Sequence, residues 1–478
     1  MREGYIKKEN RKKILLLCDD LRMNSGIATM AREIVFQTCH RFNWVNLGAA
    51  IQHPERQTII DISQDLGANT NVQDASCLIY PIDGYGNPDL VRMLIEREKP
   101  DVLMFFTDPR YWIWLFQMEN EIRKKIPMVY LNIWDDLPAP LYNKSYYESC
   151  DALLAISKQT LNINKLVLGD KKEGKVLKYV PHGINSELFH PLSTPAELNS
   201  LEELKVKLFG KTPPKFTVFF NSRNIRRKCP SDLIAAYALF CEEIGPEKAK
   251  ECTLLLHTDP LDENGTNLPA VVDLLCDPEY MNVRFTGTKP APPEMKYLYA
   301  LGDVTVLPSS NEGWGLSLTE AMMCGKMIIG NVTGGMQDQM RFEDENGNWI
   351  DFDENFCSNH FGTYQKCGEW AVPVFPSNMS LVGSIPTPYI WDDRLDFRDL
   401  AKAIKQVYDL SPEERINKGL KGREWVLSDE AMMSGAAMGK NVIDGIEETL
   451  KVWKPRKNYE FIKIEKLPRN KVPHKLTY

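Results

Sequence analysis

Short, mainly apolar runs alternate along this chain with stretches whose apolar positions recur every three or four residues. The runs at 12–20, 44–51, 77–82, 101–106, 128–133, 152–156 and 176–180 read as strands buried on both faces. Between them, 22–35, 88–97, 119–125 and 159–168 read as amphipathic helices; in the first, Ile27, Met30, Ala31 and Ile34 share one face. Strand-helix alternation of this kind predicts a doubly wound parallel sheet over residues 1–191. Residues 52–76 break the pattern and are expected to hold a small hairpin.

The pattern restarts after a connection at 192–214, rich in Ser, Thr, Pro and charge, with a short helix expected at 195–208. Strands at 215–221, 251–257, 283–287, 303–307 and 327–330 and helices at 231–243, 293–301 and 316–324 predict a second α/β domain over 215–428. Within it, residues 342–396 form a long excursion rich in Pro, Trp and Tyr, including Trp370, Tyr389 and Trp391. That composition favours extended, ordered structure over disorder. It is expected either to pack as an extra layer or to cap a ligand site. Helices at 397–410, 412–427 and 430–452 end the chain. The last belongs to a C-terminal segment, 429–478, and is expected to cross back to the first domain.

The most informative stretch is 303–330. An apolar run is followed by a loop with Gly313 and Gly315, where the backbone is free to approach a ligand closely. A helix opening at Leu316 follows, stopped by Gly325. The unit places a ligand at the carboxyl edge of a parallel sheet. Glu312 at the loop tip and Glu320 inside the helix cannot share a helix face, so they reach two parts of one extended ligand. A carboxylate accepts hydrogen bonds from two vicinal hydroxyls, which suits a sugar or ribose. Helix-start amides suit a phosphate, and the Asn24-Ser25-Gly26 segment offers a second such start. The loop after strand 215–221 carries Arg223, Arg226, Arg227 and Lys228, and two cations facing a pyrophosphate would stabilise the charge that grows on a leaving group.

Composition narrows the classes. A chain of 478 residues with 43% hydrophobic and 10% aromatic content suits a globular protein of two or three domains. No apolar run reaches membrane-spanning length and no signal-peptide core opens the chain, so a cytoplasmic location is expected. Eleven cysteines without a Cys-x2-Cys pair indicate neither a zinc site nor a disulfide framework. Net charge is −7, but residues 451–478 hold nine basic and two acidic side chains, leaving the body near −14. That tail is a candidate for an anionic partner. Asp351-Phe-Asp353 has the spacing of a metal-binding pair but follows the Gly-containing loop instead of preceding it, and reads as solvated.

The segment Glu312-Gly-Trp-Gly-Leu-Ser-Leu-Thr-Glu320-Ala-Met-Met-Cys-Gly325 resembles the donor-site signature of the family-four, or group 1, retaining glycosyltransferases. Arg223 and Lys228 resemble that family's diphosphate-binding pair. Gly334-Gly335 and Pro181-His182-Gly183 match two further segments, and Ser25-Gly26 stands where a Gly-Gly is usual. The resemblance implies a GT-B fold, two Rossmann-like domains facing a cleft, with no metal and no cofactor beyond the nucleotide-sugar substrate, a UDP-sugar being favoured. It implies that Arg223 and Lys228 hold the diphosphate, Glu320 the ribose and Glu312 the sugar, with amides at Gly26 and Gly313 to Leu316 completing the phosphate cradle. The donor's own phosphate would then take the acceptor's proton. Where the family has a histidine near the sugar, this chain has Asp108, Trp134, Asp135 and Asp136, with His182 lining the cleft. At least one of these acids, Asp135 foremost, is expected to engage the acceptor hydroxyl. The acceptor, whether glycan, lipid, protein or small molecule, is not legible. Two alternatives remain, a nucleotide-sugar-binding protein without turnover and a transferase acting on a modified nucleic-acid base.

Overall fold

The computed structural model describes residues 2–49, 55–287 and 290–457. Eight strands form the first sheet: β1 (Lys12–Asp19), β2 (Phe42–Ala49), β3 (Ile60–Asp61), β4 (Cys77–Pro81), β5 (Val102–Phe106), β6 (Met128–Asn132), β7 (Ala152–Ala155) and β8 (Val176–Tyr179). Their order is β3-β4-β2-β1-β5-β6-β7-β8, and every pairing is parallel except β3 with β4. The central strands are mainly apolar because helices such as Gly26–Thr38 and Lys158–Leu168 cover the sheet. The chain builds outward from β1 in one direction and from β5 in the other, so a crevice opens at their carboxyl ends.

Residues 52–76 do not make the expected hairpin. Ile60–Asp61 pairs with β4, and Ser63–Thr70 is a helix closed by Asn71 in the left-handed region, φ 55°. The structure there comes from Leu66 and Thr70 docking on the first domain's core, a tertiary contact that the polar composition conceals.

Six strands form the second sheet: β9 (Phe216–Asn221), β10 (Cys252–His257), β11 (Val283–Phe285), β12 (Val304–Leu307), β13 (Met327–Asn331) and β14 (Ala371–Val374). All pairings are parallel, in the order β11-β10-β9-β12-β13-β14. Here the direction reverses between β9 and β12, the two strands whose exit loops carry Arg223 to Lys228 and Glu312 to Gly315. The arrangement is α/β throughout, two doubly wound sheets with their carboxyl-end loops lining one cleft.

The last helix, Gly435–Val452, returns to the first domain and lies on Gly26–Thr38. Gly439 permits this approach, since a Cβ there would fall 2.5 Å from that of Gln37. Gly183 serves close approach as well and is not among the glycines at positive φ. A Cβ at 183 would sit 2.2 Å from the Ser434 carbonyl oxygen, and Ile184 exchanges backbone hydrogen bonds with Met433 and Gly435.

The excursion splits into two parts with different roles. Phe342 and Trp370 belong to the second domain's core, where Trp370 stacks on Trp425 at 5.2 Å and 22°. Beyond β14, β15 (Asn378–Ser384) and β16 (Thr387–Arg394) form an antiparallel hairpin that joins neither sheet. Its base is held on the second domain: Asp393 accepts from Thr333 and Asn359, at 2.7 and 2.9 Å. Its outer half docks on the first domain. Trp391 N donates to Leu137 O at 2.7 Å, and Tyr142 donates to Tyr389 O at 3.0 Å.

Candidate active site

The cleft encloses a cavity of about 1110 Å³. Gly26, Asp108, Trp134, Asp135, Asp136 and His182 reach it from the first domain, and Arg223, Lys228, Glu312, Gly313, Gly315, Leu316 and Glu320 from the second. Every site residue named from the sequence therefore lines one space. Arg226 and Arg227 line it too.

Two helix starts converge at its middle. Ser25 is the N-cap of Gly26–Thr38: its hydroxyl accepts from Ala28 N at 3.0 Å and donates to Asp19 at 2.5 Å. The serine in place of a glycine thus fixes the helix start, and Gly26, its first residue, lines the cavity. A Cβ on Gly26 would come within 3.6 Å of Leu316 Cδ1, the first residue of the opposite helix, Leu316–Met323. Gly315 precedes that helix at φ 87°, a conformation strained for any other residue. Gly313 lets the loop touch the first domain, since a Cβ there would lie 2.8 Å from Ile133 O. Two helix starts with partial positive ends, both lining one cavity, are suited to an anion.

The cations sit against Glu312. Lys228 Nζ bonds Glu312 Oε1, Arg227 reaches Oε2 at 3.3 Å and Ser309 donates to Oε1 at 2.8 Å. Burial alone would push this carboxyl up, but Lys228 and Arg227 outweigh it and hold it at about 2. Burial draws Lys228 down, partly offset by Glu312. Arg223, by contrast, is largely exposed and forms a bidentate pair with Asp262, at 2.6 and 3.2 Å. Of the basic loop, Arg227 and Lys228 engage the Glu-containing loop directly, and Arg223 is held at the rim.

Glu320 lies deeper. Its Oε2 accepts from the Tyr299 hydroxyl, which Asn221 Nδ2 contacts at 2.8 Å. Burial raises this carboxyl to about 7, against the opposing effect of the tyrosine. The two glutamates therefore differ in charge at neutral pH: Glu312 is ionised and Glu320 is poised between forms.

On the first-domain side, Asp108 caps the turn Pro109–Trp112 and is gripped by Arg110 Nε, at 2.8 and 3.0 Å. Arg110 also contacts Thr387 of the hairpin. Burial and its neighbour Asp135 push Asp136 well up, and burial raises Asp135, with Arg227 opposing in both. Asn311 joins the three parts, donating to Asp136 Oδ1 at 2.7 Å and to Trp391 O at 2.5 Å. His182 is buried between Phe106 and Trp314, with ring centroids 5.9 and 6.2 Å away. Burial drops it to about 3, so it is a neutral wall residue.

Sequence reasoning missed Asn311, Arg110, Thr387 and Asp392, all of which line the cavity. Asn311 adjoins Glu312 and so carried a positional signal. Thr387 and Asp392 carried none, because the hairpin reaches the cleft only through its docking on 137–142. Asp351 and Asp353 are exposed and lie outside the cavity. The basic tail from 458 onward lies outside the described residues, and Lys451 to Lys457 do not line the cleft.

The comparisons agree with this geometry. Residues 270–356, which include both glutamates, match the family described as glycosyl transferases group 1. A D-inositol 3-phosphate glycosyltransferase of Corynebacterium jeikeium is 26% identical over 191 residues, 40% of this chain and 43% of that protein. An uncharacterized glycosyltransferase of Methanocaldococcus jannaschii is 28% identical over 119 residues, 25% of this chain and 28% of that one. The chain thus aligns with less than half the length of these curated relatives. In three dimensions the likeness runs over nearly the whole chain. HepE of Anabaena, solved in complex with UDP and glucose, superposes with a TM-score of 0.61 at 14% identity, covering 92% of this chain and all of that one. Sucrose-phosphate synthase of Thermosynechococcus elongatus gives 0.64 at 16% identity, with the same coverage. The fold is GT-B, and the chain carries the group 1 glycosyltransferase signature in its second domain.

Proposed function

We propose that this protein is a retaining glycosyltransferase that moves a sugar from a nucleoside diphosphate sugar, a UDP-sugar foremost, to a hydroxyl acceptor. The observation that carries this reading is the meeting of Glu312, Glu320, Lys228 and two helix starts in one cleft, at the reversal point of the second sheet. A ligand with a sugar, a diphosphate and a ribose uses all of them at once. HepE, which shares the fold, was solved with UDP and glucose.

In this reading Lys228 and Arg223 neutralise the diphosphate as the sugar leaves, with Gly26, Gly313, Gly315 and Leu316 donating from the backbone. A preorganised positive site stabilises the charge that grows on the leaving group without reorganisation at the moment of reaction. Lys228 turns from Glu312 to the phosphate, and Glu312 is freed to accept from sugar hydroxyls. Glu320 accepts from the ribose. The acceptor enters from the side of Asp135 and Asp136, and its proton passes to the departing phosphate on the same face, which retains the anomeric configuration. Asp135 orients the acceptor hydroxyl. No residue acts as a covalent nucleophile, and no metal or further cofactor takes part in these steps.

No helix among the described residues is long and apolar enough to cross a membrane. The proposed setting is the cytoplasm, where nucleotide-sugars are available. A thermal-shift screen over nucleotide-sugars tests the donor assignment. A donor at 100 times its dissociation constant should stabilise the protein by about 2.7 kcal/mol. Absence of any shift across UDP-, GDP- and ADP-sugars would remove the basis of the proposal.

A further inference from the structure

The first sheet has a reversal point of its own, between β1 and β5. In open α/β sheets the crevice outside such a point is where ligands are held. The exit loops of β1, β4 and β5 meet there. Tyr85, after β4, stacks face to face on Tyr111, after β5, with ring centroids 4.2 Å apart and planes at 12°. Trp112 meets Tyr85 edge-on at 5.3 Å and 87°. The Tyr85 hydroxyl lies 3.4 Å from Asp19 Oδ1, and Asp19 is itself tied to the N-cap Ser25. Tyr85 is thereby fixed from three sides. Tyr111 is backed by it on one face and remains 51% exposed. Arg110, the residue before Tyr111, lines the cavity, as does Asp108, the cap of the turn that carries Tyr111.

An exposed tyrosine on a loop is ordinarily free to turn. This one is held flat beside the mouth of the cleft, with its ordering cost already met in the folded protein. A flat aromatic face next to carboxylates suits a pyranose ring, whose C–H face packs on the ring while its hydroxyls find acceptors. We infer that Tyr111, backed by Tyr85, is a subsite for a second sugar ring of the acceptor, so that the acceptor is a glycan of two or more rings. The inference rests on the glycosyltransferase reading and adds the acceptor class to it.

The test uses the full chain, its best UDP-sugar, and methyl glucoside, galactoside and mannoside beside their di- and trisaccharides. In the series that is used, kcat/KM should rise about tenfold from one ring to two, the worth of one aromatic stacking contact. Tyr111→Ala should abolish that rise and Tyr111→Phe should restore it. The one-ring rate and the slow release of UDP to water should be unchanged in both variants. A gain that survives Tyr111→Ala, or the lack of any gain with length, overturns the subsite. Release of UDP to water with no glycan accepted overturns the subsite alone, whereas failure to bind or cleave any UDP-sugar overturns the parent reading.

Discussion

Replacing Glu320 with glutamine should change stability in a pH-dependent way. Burial raises this carboxyl from an ordinary 4.5 to about 7, a difference worth roughly 3 kcal/mol. Between those values the folded protein keeps a proton that the unfolded chain has released. Stability therefore falls as pH rises across that window, and the full cost is present above 7. Glutamine keeps the bond from Tyr299 and removes the charge. The ligand-free variant should come within about 1 kcal/mol of the wild type at pH 5 and exceed it by about 3 kcal/mol at pH 8. For a domain of this size that is about 6–12 °C in melting temperature. UDP should act in the opposite sense, because the ionised carboxylate recovers its cost by accepting from the ribose. Wild-type affinity for UDP should rise with pH up to about 7, and the variant should bind it weakly at every pH. Melting curves at pH 5, 6, 7 and 8, with and without UDP, read both effects. An offset between the two proteins that does not vary with pH, or equal UDP affinities, would refute the reasoning.

Other expectations follow from the same geometry. Lys228→Ala should lower transfer by about 10²-fold or more, since one preorganised charge stabiliser is lost; an unchanged rate would move that role to Arg227. Glu312→Gln should spare binding of free UDP and weaken only the UDP-sugar, as calorimetry with both ligands would show, and equal losses would contradict the division between the two glutamates. Replacing 379–392 with a Gly-Ser linker, which keeps Asp393 and its partners, should leave release of UDP to water intact and abolish transfer. Full transfer by the shortened protein would show that the hairpin is no part of the acceptor wall.

What the sequence conveyed depended on how local the determinant is. The unit from Val304 to Asn331 is contiguous, so its apolar run, glycines and helix start were readable in order, and its carboxylates fell where the loop geometry required. The cations after β9 were readable for the same reason, but their partners were not. Arg223 meets Asp262 and Lys228 meets Glu312 across long separations in the chain. The hairpin was the least legible part. Its strands show little period-two alternation, because most of their positions stay exposed or half-buried, with the base bonded to the second domain and Ile390 and Trp391 packed on the first. Trp370 and Trp391 looked alike in sequence, yet one stacks in the second domain's core and the other donates its backbone N–H to Leu137 at the edge of the cleft. Gly183 shows a related ambiguity, since a glycine required for positive φ and one required for close approach are the same letter.

The most direct measurement is proton NMR of the products formed from a UDP-sugar with an α-anomeric bond. Pure protein would be incubated with the donor and a pooled set of hydroxyl acceptors. The expected result is release of UDP together with a new α-glycoside, lost in both Lys228→Ala and Glu312→Gln. A β-glycoside would contradict retention, and a donor that binds tightly yet stays intact with every acceptor would show a binding protein in place of an enzyme.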